Sequence, residues 1–208
     1  TYDDEYVDNE NAGDTYTDLE ISSAEANLEN RYKQSTRMKL APVATELLGY
    51  YMDGDNSKHG ITNIEYTEHG LRVVEFGETS VLNKVLRNDE PINMRFIKDT
   101  LNYTGKSPIT TSADSYSFYT SGVDLALGLG SATAITSIKF EEGKILAKIT
   151  VTDHYDFGKK EANAGDFLKS AYILQQSGRK KTFAYKTTYD VTYTIDEFLD
   201  YILKGIGD

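Results

Sequence analysis

Between Ala132 and Thr152 the chain runs through two stretches of alternating apolar and polar residues, interrupted only by Glu141-Glu142-Gly143. In the second stretch Ile145, Ala147, Ile149 and Val151 interleave with Lys144, Leu146, Lys148 and Thr150. A period of two sends alternate side chains to opposite faces of a strand, so each stretch has a buried side and a mostly wet side. A short break containing Gly joins two such stretches as a hairpin. This part of the chain is therefore committed to an antiparallel sheet, which needs an apolar cover on one face.

The rest of the chain offers helices as that cover. Thr17-Asp18-Leu19-Glu20 and Ser22-Ser23-Ala24-Glu25 both have the capping-box form. A helix follows to about Lys39, with Leu28 and Tyr32 one turn apart and Met38 extending the face. Pro42 suits the first turn of a second helix whose apolar side is Val43, Leu47 and Tyr51. Met52 to Gly60 reads as a polar loop. Ile61–Tyr66 and Leu71–Phe76 read as strands around Thr67-Glu68-His69-Gly70. Thr79 or Ser80 caps a short helix carrying Val81, Leu82, Val85 and Leu86. Pro91 starts another with Met94, Ile97 and Leu101 at helical spacing. Asn102 to Ser115 reads as a loop. A helix is expected over Ala162–Gln176, ending at Gly178, and one or two strands over Thr182–Thr194. Thr194 then caps a terminal helix with Phe198, Leu199, Ile202 and Leu203. No internal repeat is visible. The expected fold is α+β, a helical N-terminal half packed on a β-rich, antiparallel C-terminal half. Residues 18–208 form one domain in this reading, with a mainly helical lobe over 18–115 and a β-rich lobe over 116–208.

Charge narrows the partners. The net charge is −11, from 22 basic and 33 acidic residues. The first 30 residues contain ten acids, from Asp3 to Glu29, and no Lys or Arg. The remainder is close to neutral and has no basic tract, which argues against a nucleic-acid partner. Residues 1–17 read as an acidic flexible linker. A start at Thr1 rather than Met reads as a processed or excised chain. The absence of Cys excludes thiol catalysis, disulfides and Cys-ligated metals. No apolar run is long enough for a transmembrane helix.

The chemistry-bearing motif lies where the second hairpin strand runs out, at Asp153-His154-Tyr155-Asp156-Phe157-Gly158. Two carboxylates, an imidazole and a phenol fall within four positions. On a straight strand Asp153 and Tyr155 share one face, and His154 and Asp156 the other. The two carboxylates converge only if the chain turns or bulges there, as strands near active sites do. Converging carboxylates suit calcium or magnesium, or acid–base work at a phosphate. The plainer reading is an Asp-rich turn with Tyr155 and Phe157 in the core.

Asp153-x-Tyr155-Asp156 at a strand exit resembles the Asp-x-Tyr-Asp signature of colicin M-type bacteriocins, which hydrolyse the lipid II precursor of peptidoglycan. The resemblance extends over roughly residues 125–195. It takes in Ala126-Leu127-Gly128-Leu129-Gly130-Ser131 before the hairpin and Leu174-Gln175-Gln176-Ser177-Gly178-Arg179-Lys180-Lys181-Thr182-Phe183 after the motif. A linker followed by a Lys-, Asn- and Tyr-rich domain is also similar to the toxin domains of type VII (LXG) effectors, a group that includes a calcium-dependent lipid II phosphatase. The resemblance implies a secreted antibacterial toxin, a metal-assisted hydrolase of a polyprenyl-pyrophosphate cell-wall precursor, with a cognate immunity protein as partner. It implies Asp153 and Asp156 as essential carboxylates and metal ligands, Tyr155 as a supporting phenol, and His154 beside them. Calcium is favoured over magnesium as the divalent cation. The His-Arg pair that follows the second Asp in colicin M-type proteins is absent. Lys159, Lys160 and Arg179 are the cations available for the substrate phosphates.

Other signals carry less. Asp53-Gly54-Asp55-Asn56-Ser57 has calcium-loop spacing, but Lys58 stands at the glycine position and Ile64 at that of the closing Glu, so it reads as a polar loop. Asp114 and Asp124 flank an aromatic stretch, Tyr116, Phe118 and Tyr119, and either acid could approach the motif, though the sequence does not place it there. His59 and His69 fall in expected turns and read as solvated. Two non-catalytic readings stand beside the toxin: an exported binding or surface domain, and an immunity or inhibitor protein. The linker location of the acidity speaks against the last.

Overall fold

The computed structural model describes residues 14–54, 56–104 and 109–205. Helix α1 (Asp18–Met38) starts from a complete capping box, in which the Thr17 hydroxyl accepts from the Glu20 N–H and Glu20 Oε2 accepts from the Thr17 N–H. Helix α2 (Pro42–Asp53) has no side-chain cap of its own at Ala41. Asp124 supplies one from 80 residues away, accepting from the N–H groups of Val43 at 3.0 Å and Ala44 at 2.9 Å. Strands β1 (Ile61–Tyr66) and β2 (Arg72–Phe76) follow, then α3 (Val81–Asn88) and α4 (Glu90–Thr104). Ser80 caps α3, and buried Glu46 of α2 accepts from its Val81 and Leu82 N–H groups at 2.9 and 2.8 Å. Burial pushes the Glu46 carboxyl up, against the pull of those two bonds.

The second half contains β3 (Ile109–Ser117), α5 (Val123–Gly128), β4 (Ser131–Glu141) and β5 (Lys144–Tyr155). It continues with α6 (Lys159–Ala162), α7 (Asp166–Gln176), β6 (Phe183–Thr194) and α8 (Ile195–Lys204). Glu142 (φ 50°) and Gly143 (φ 73°) make the left-handed two-residue turn between β4 and β5. The strands form one six-stranded sheet in the order β1-β2-β6-β5-β4-β3. Every neighbouring pair is antiparallel except β2 and β6, which run parallel. The α+β architecture expected from the sequence is present, with helices concentrated in the first half.

Three local expectations change. The Asn102–Ser115 loop gives way to edge strand β3, paired with β4 from Ile109↔Lys139 to Ser117↔Ser131. Its Thr/Ser composition carries no apolar alternation, and the partner strand rather than its own pattern holds it extended. The helix expected over Ala162–Gln176 is two, α6 and α7, with Gly165 at the N-cap of the second. Finally, β1 and β2 join the sheet of the second half through the parallel β2–β6 pairing, which no local pattern encodes.

One apolar core lies between helices and sheet. From the sheet it takes Ile145, Ala147, Ile149 and Val151 of β5 and Phe183, Tyr185 and Tyr189 of β6. Leu28, Leu47, Leu82, Leu86, Met94 and Ile97 face them from α1, α2, α3 and α4, all with no measurable exposure.

Candidate active site at the end of strand β5

The alternation that buries Ile145 through Val151 continues past the core, so Asp153 and Tyr155 stay on the helix-covered face of β5. His154 turns to the opposite face, level with Ala184 of β6. Asp153 lies directly across from Tyr185, and Tyr155 across from Phe183. Asp156 follows the last strand residue, and Phe157 returns to the core. Gln175 of α7 clamps this exit: its Oε1 accepts from the Phe157 N–H at 2.9 Å and its Nε2 donates to the Phe157 carbonyl at 3.4 Å.

Aromatic rings wall the site. Tyr155 stacks on Phe183 with ring centres 5.1 Å apart and meets Phe157 edge-on at 5.4 Å. Tyr51 packs against both Tyr155 and Phe157 and donates its hydroxyl to the Ala171 carbonyl at 3.1 Å. Burial pushes the Tyr155 phenol well above its usual range, so it stays protonated at any physiological pH.

Asp153 is the perturbed acid of the site. Burial raises its carboxyl from the usual 3.8 to about 7, and the Asp156 charge adds to the rise. Hydrogen bonds from the His154 N–H and the Tyr185 hydroxyl oppose it. A carboxyl half-ionised at neutral pH has the proton affinity that general acid–base catalysis needs.

The remaining site candidates are more dispersed. Lys159, in the turn of α6, pairs with Asp14 at 2.9 Å. Asp14 also accepts from the Tyr172 hydroxyl at 2.7 Å, and these bonds hold its carboxyl below the usual range, Tyr172 contributing most. Residues next to the expected linker boundary are thus fastened to the body, and residues 1–13 lie outside the described part. Lys160 and Arg179 are exposed. His59, read as solvated, is buried at 5% exposure, with Nε2 3.3 Å from Asp53 Oδ1 and its ring edge-on to Tyr50. The short 3₁₀ turn Asn56–Lys58 folds it under α2. Asp124 caps α2, and Asp114 is exposed. Asp55 of the calcium-like loop is outside the described residues. Among the described residues no group of three or more His, Asp or Glu side chains is arranged to hold a metal ion.

Two residues of this end were not singled out from sequence. Tyr185 is placed opposite Asp153 only by the β5–β6 register. Arg72 enters through the parallel pairing, level with Phe183, which is itself level with Tyr155. Its guanidinium lies 4.9 Å from the Tyr50 ring centre and 5.5 Å from that of Phe183. The Tyr-, Thr- and Val-rich composition of Thr182–Thr194 points to a strand, but not to the strands it pairs with. Since the Tyr185 hydroxyl favours the ionised form of Asp153, Tyr185→Phe is expected to move the Asp153 midpoint upward, by about one pH unit. NMR titration of the Asp153 carboxyl carbon measures this directly, and an unmoved midpoint refutes the contact.

No family model matches the chain, and no curated protein matches it. Among solved structures, the truncated bacteriocin syringacin M from Pseudomonas syringae pv. tomato DC3000 is similar at a distance. The alignment covers 86% of this chain and 96% of that one, at 14% identity and a TM-score of 0.35.

Proposed function

We propose that the chain is the catalytic domain of a secreted antibacterial toxin that hydrolyses a polyprenyl-pyrophosphate cell-wall precursor such as lipid II. The observation that carries this reading is the half-buried Asp153 carboxyl, held near pH 7 at a strand end whose Asp-x-Tyr-Asp motif resembles that of colicin M-type toxins.

In this mechanism Asp153 is the general base. Its ionised form takes a proton from a water molecule as that water attacks a phosphorus atom of the pyrophosphate; one existing phosphorus–oxygen bond breaks, and the departing oxygen leaves as phosphate or picks up a proton to leave as the prenyl alcohol. Tyr185 and the His154 N–H steady the carboxylate between turnovers. Asp156 keeps its proton affinity high. Tyr155 remains a phenol and offers its O–H to a phosphate oxygen. Arg72, held over Tyr50 and Phe183, supplies positive charge on the same face, a role that Lys159 gives up by pairing with Asp14.

Asp153 and Asp156, whose charges interact, are the two carboxylates that would hold a divalent cation against the substrate's phosphate oxygens. That pattern suits magnesium at least as well as calcium, which favours six to eight oxygens. When bound, the cation neutralises charge developing on those oxygens. The test is incubation of the purified chain with lipid II, with and without calcium or magnesium, followed by separation of prenyl and phosphorylated sugar products. Cleavage is expected. An intact substrate under every cation condition overturns the reading and leaves the exported binding domain in its place.

A further inference from the structure

A second feature of the molecule is a surface corner built by α5 and the α1–α2 junction. The Asp124 carboxylate ties α5 to the first turn of α2, and Gly128 packs so closely that a Cβ there would lie 3.1 Å from Val43 Cγ1. Around that contact Leu40 is 71% exposed, Val123 73% and Leu127 68%, with Met38 and Tyr119 also largely bare. Isolated exposed apolar residues are ordinary, but a contiguous group of large ones marks an interaction surface. Arg37 and Lys39 are exposed beside them. Asp124, the acid of α5, is spent on the α2 backbone.

The corner also has a defined place. β3 leaves the sheet at Ser117 and β4 enters at Ser131, level with each other, while Thr133 of β4 is level with Thr152 of β5. The α5 segment therefore lies at the same end of the sheet as Asp153 and Tyr155.

We propose that this corner docks on an anionic phospholipid bilayer, with Leu40, Val123 and Leu127 entering the headgroup layer and Arg37 and Lys39 meeting lipid phosphates. Charge selects this occupant. Apolar side chains flanked by cations bind anionic membrane surfaces, and each cation near the surface adds to the attraction. The other exposed apolar row, Ile195, Leu199 and Leu203 on α8, is interleaved with Asp196, Glu197 and Asp200, which an anionic surface repels. Among the described residues no helix is long and apolar enough to cross a bilayer, so the contact is peripheral. The proposal requires no chemistry at Asp153 and stands apart from the catalytic reading.

The test is co-sedimentation of the full chain with vesicles of phosphatidylcholine mixed with phosphatidylglycerol, and of phosphatidylcholine alone. Binding is expected to be at least about tenfold stronger to the anionic vesicles and to weaken with salt. The double variant Leu40→Asp/Leu127→Asp is expected to lose about tenfold or more of that binding, while Leu199→Asp on α8 leaves it unchanged. All three positions are exposed, and matching thermal melts verify that the variants fold. Equal binding to both vesicle types, no binding, or equal loss from Leu199→Asp overturns the proposal. A dimer in gel filtration that the double variant dissolves, without vesicle binding, assigns the face to a second copy instead.

Discussion

Asp153→Asn is expected to give a folded protein that has lost hydrolysis by about 10²- to 10⁴-fold, the usual worth of a positioned general base. The amide keeps the shape of the carboxyl and removes only its basicity. Rate and stability carry separate signatures. In the wild type without added cation the hydrolysis rate rises as pH climbs through about 7, where Asp153 ionises, and a cation held by Asp153 moves that rise to lower pH. Stability runs the other way. The folded-state carboxyl binds its proton more tightly than the unfolded one, so the native form holds the extra proton between pH ~4 and ~7 and loses stability across that window. The rise from 3.8 to about 7 corresponds to roughly 4 kcal/mol at full ionisation, as an order of magnitude. Glu46 is also pushed up, but it contributes to wild type and variant alike. The difference between their chemical-denaturation curves from pH 4 to 8 isolates Asp153. A variant that keeps wild-type activity removes Asp153 as base. A difference that stays flat with pH removes the raised proton affinity.

Phe183→Ala is expected to be the most damaging single truncation near the site, costing about 3–5 kcal/mol of stability. The ring is fully buried and meets Tyr155 at 5.1 Å, Tyr50 at 4.8 Å and the Arg72 guanidinium at 5.5 Å. Alanine leaves a cavity and removes the shared wall between the phenol and the cation. In urea the midpoint should fall with little change in slope. Phe183→Leu separates packing from ring chemistry. It refills most of the volume, so stability should largely return while activity stays low, because Tyr155 and Arg72 lose the aromatic face that orients them. A Leu variant as active as wild type shows that the ring serves only as filler.

These two sites differ in how far sequence announces them. Strict alternation from Ile145 to Val151 already placed Asp153 and Tyr155 on one face and His154 on the other, and the structure keeps that order. Capping residues were equally readable: Thr17, Ser80 and Thr194 each cap the helix they precede. Strands β1 and β2 fall within a residue of the expected spans. What sequence withheld was pairing. Tyr185, Arg72 and Gln175 reach the site through cross-strand register, a parallel ladder and a helix-to-loop clamp, and none of these leaves a periodic trace. Asp124 looked like a candidate for the motif because an acid beside aromatic residues is ambiguous. Its use as a cap for α2 depends on a contact 80 positions away. Edge strand β3 was invisible because its Thr and Ser residues state no preference by themselves.

The parallel ladder between β2 and β6 has a consequence for how the molecule is made. It joins segments far apart in the chain, as in the bond from the Thr187 hydroxyl to the Phe76 carbonyl across 111 positions. Contacts of such long range form late and slow folding. During translation, Arg72, Tyr50 and Asp153 all emerge before the strand that brings them into register. A nascent polypeptide halted before Phe183 has the acid but neither Tyr185 beside it nor the ring on which Tyr155 stacks, so competence arrives only once strand β6 has been made.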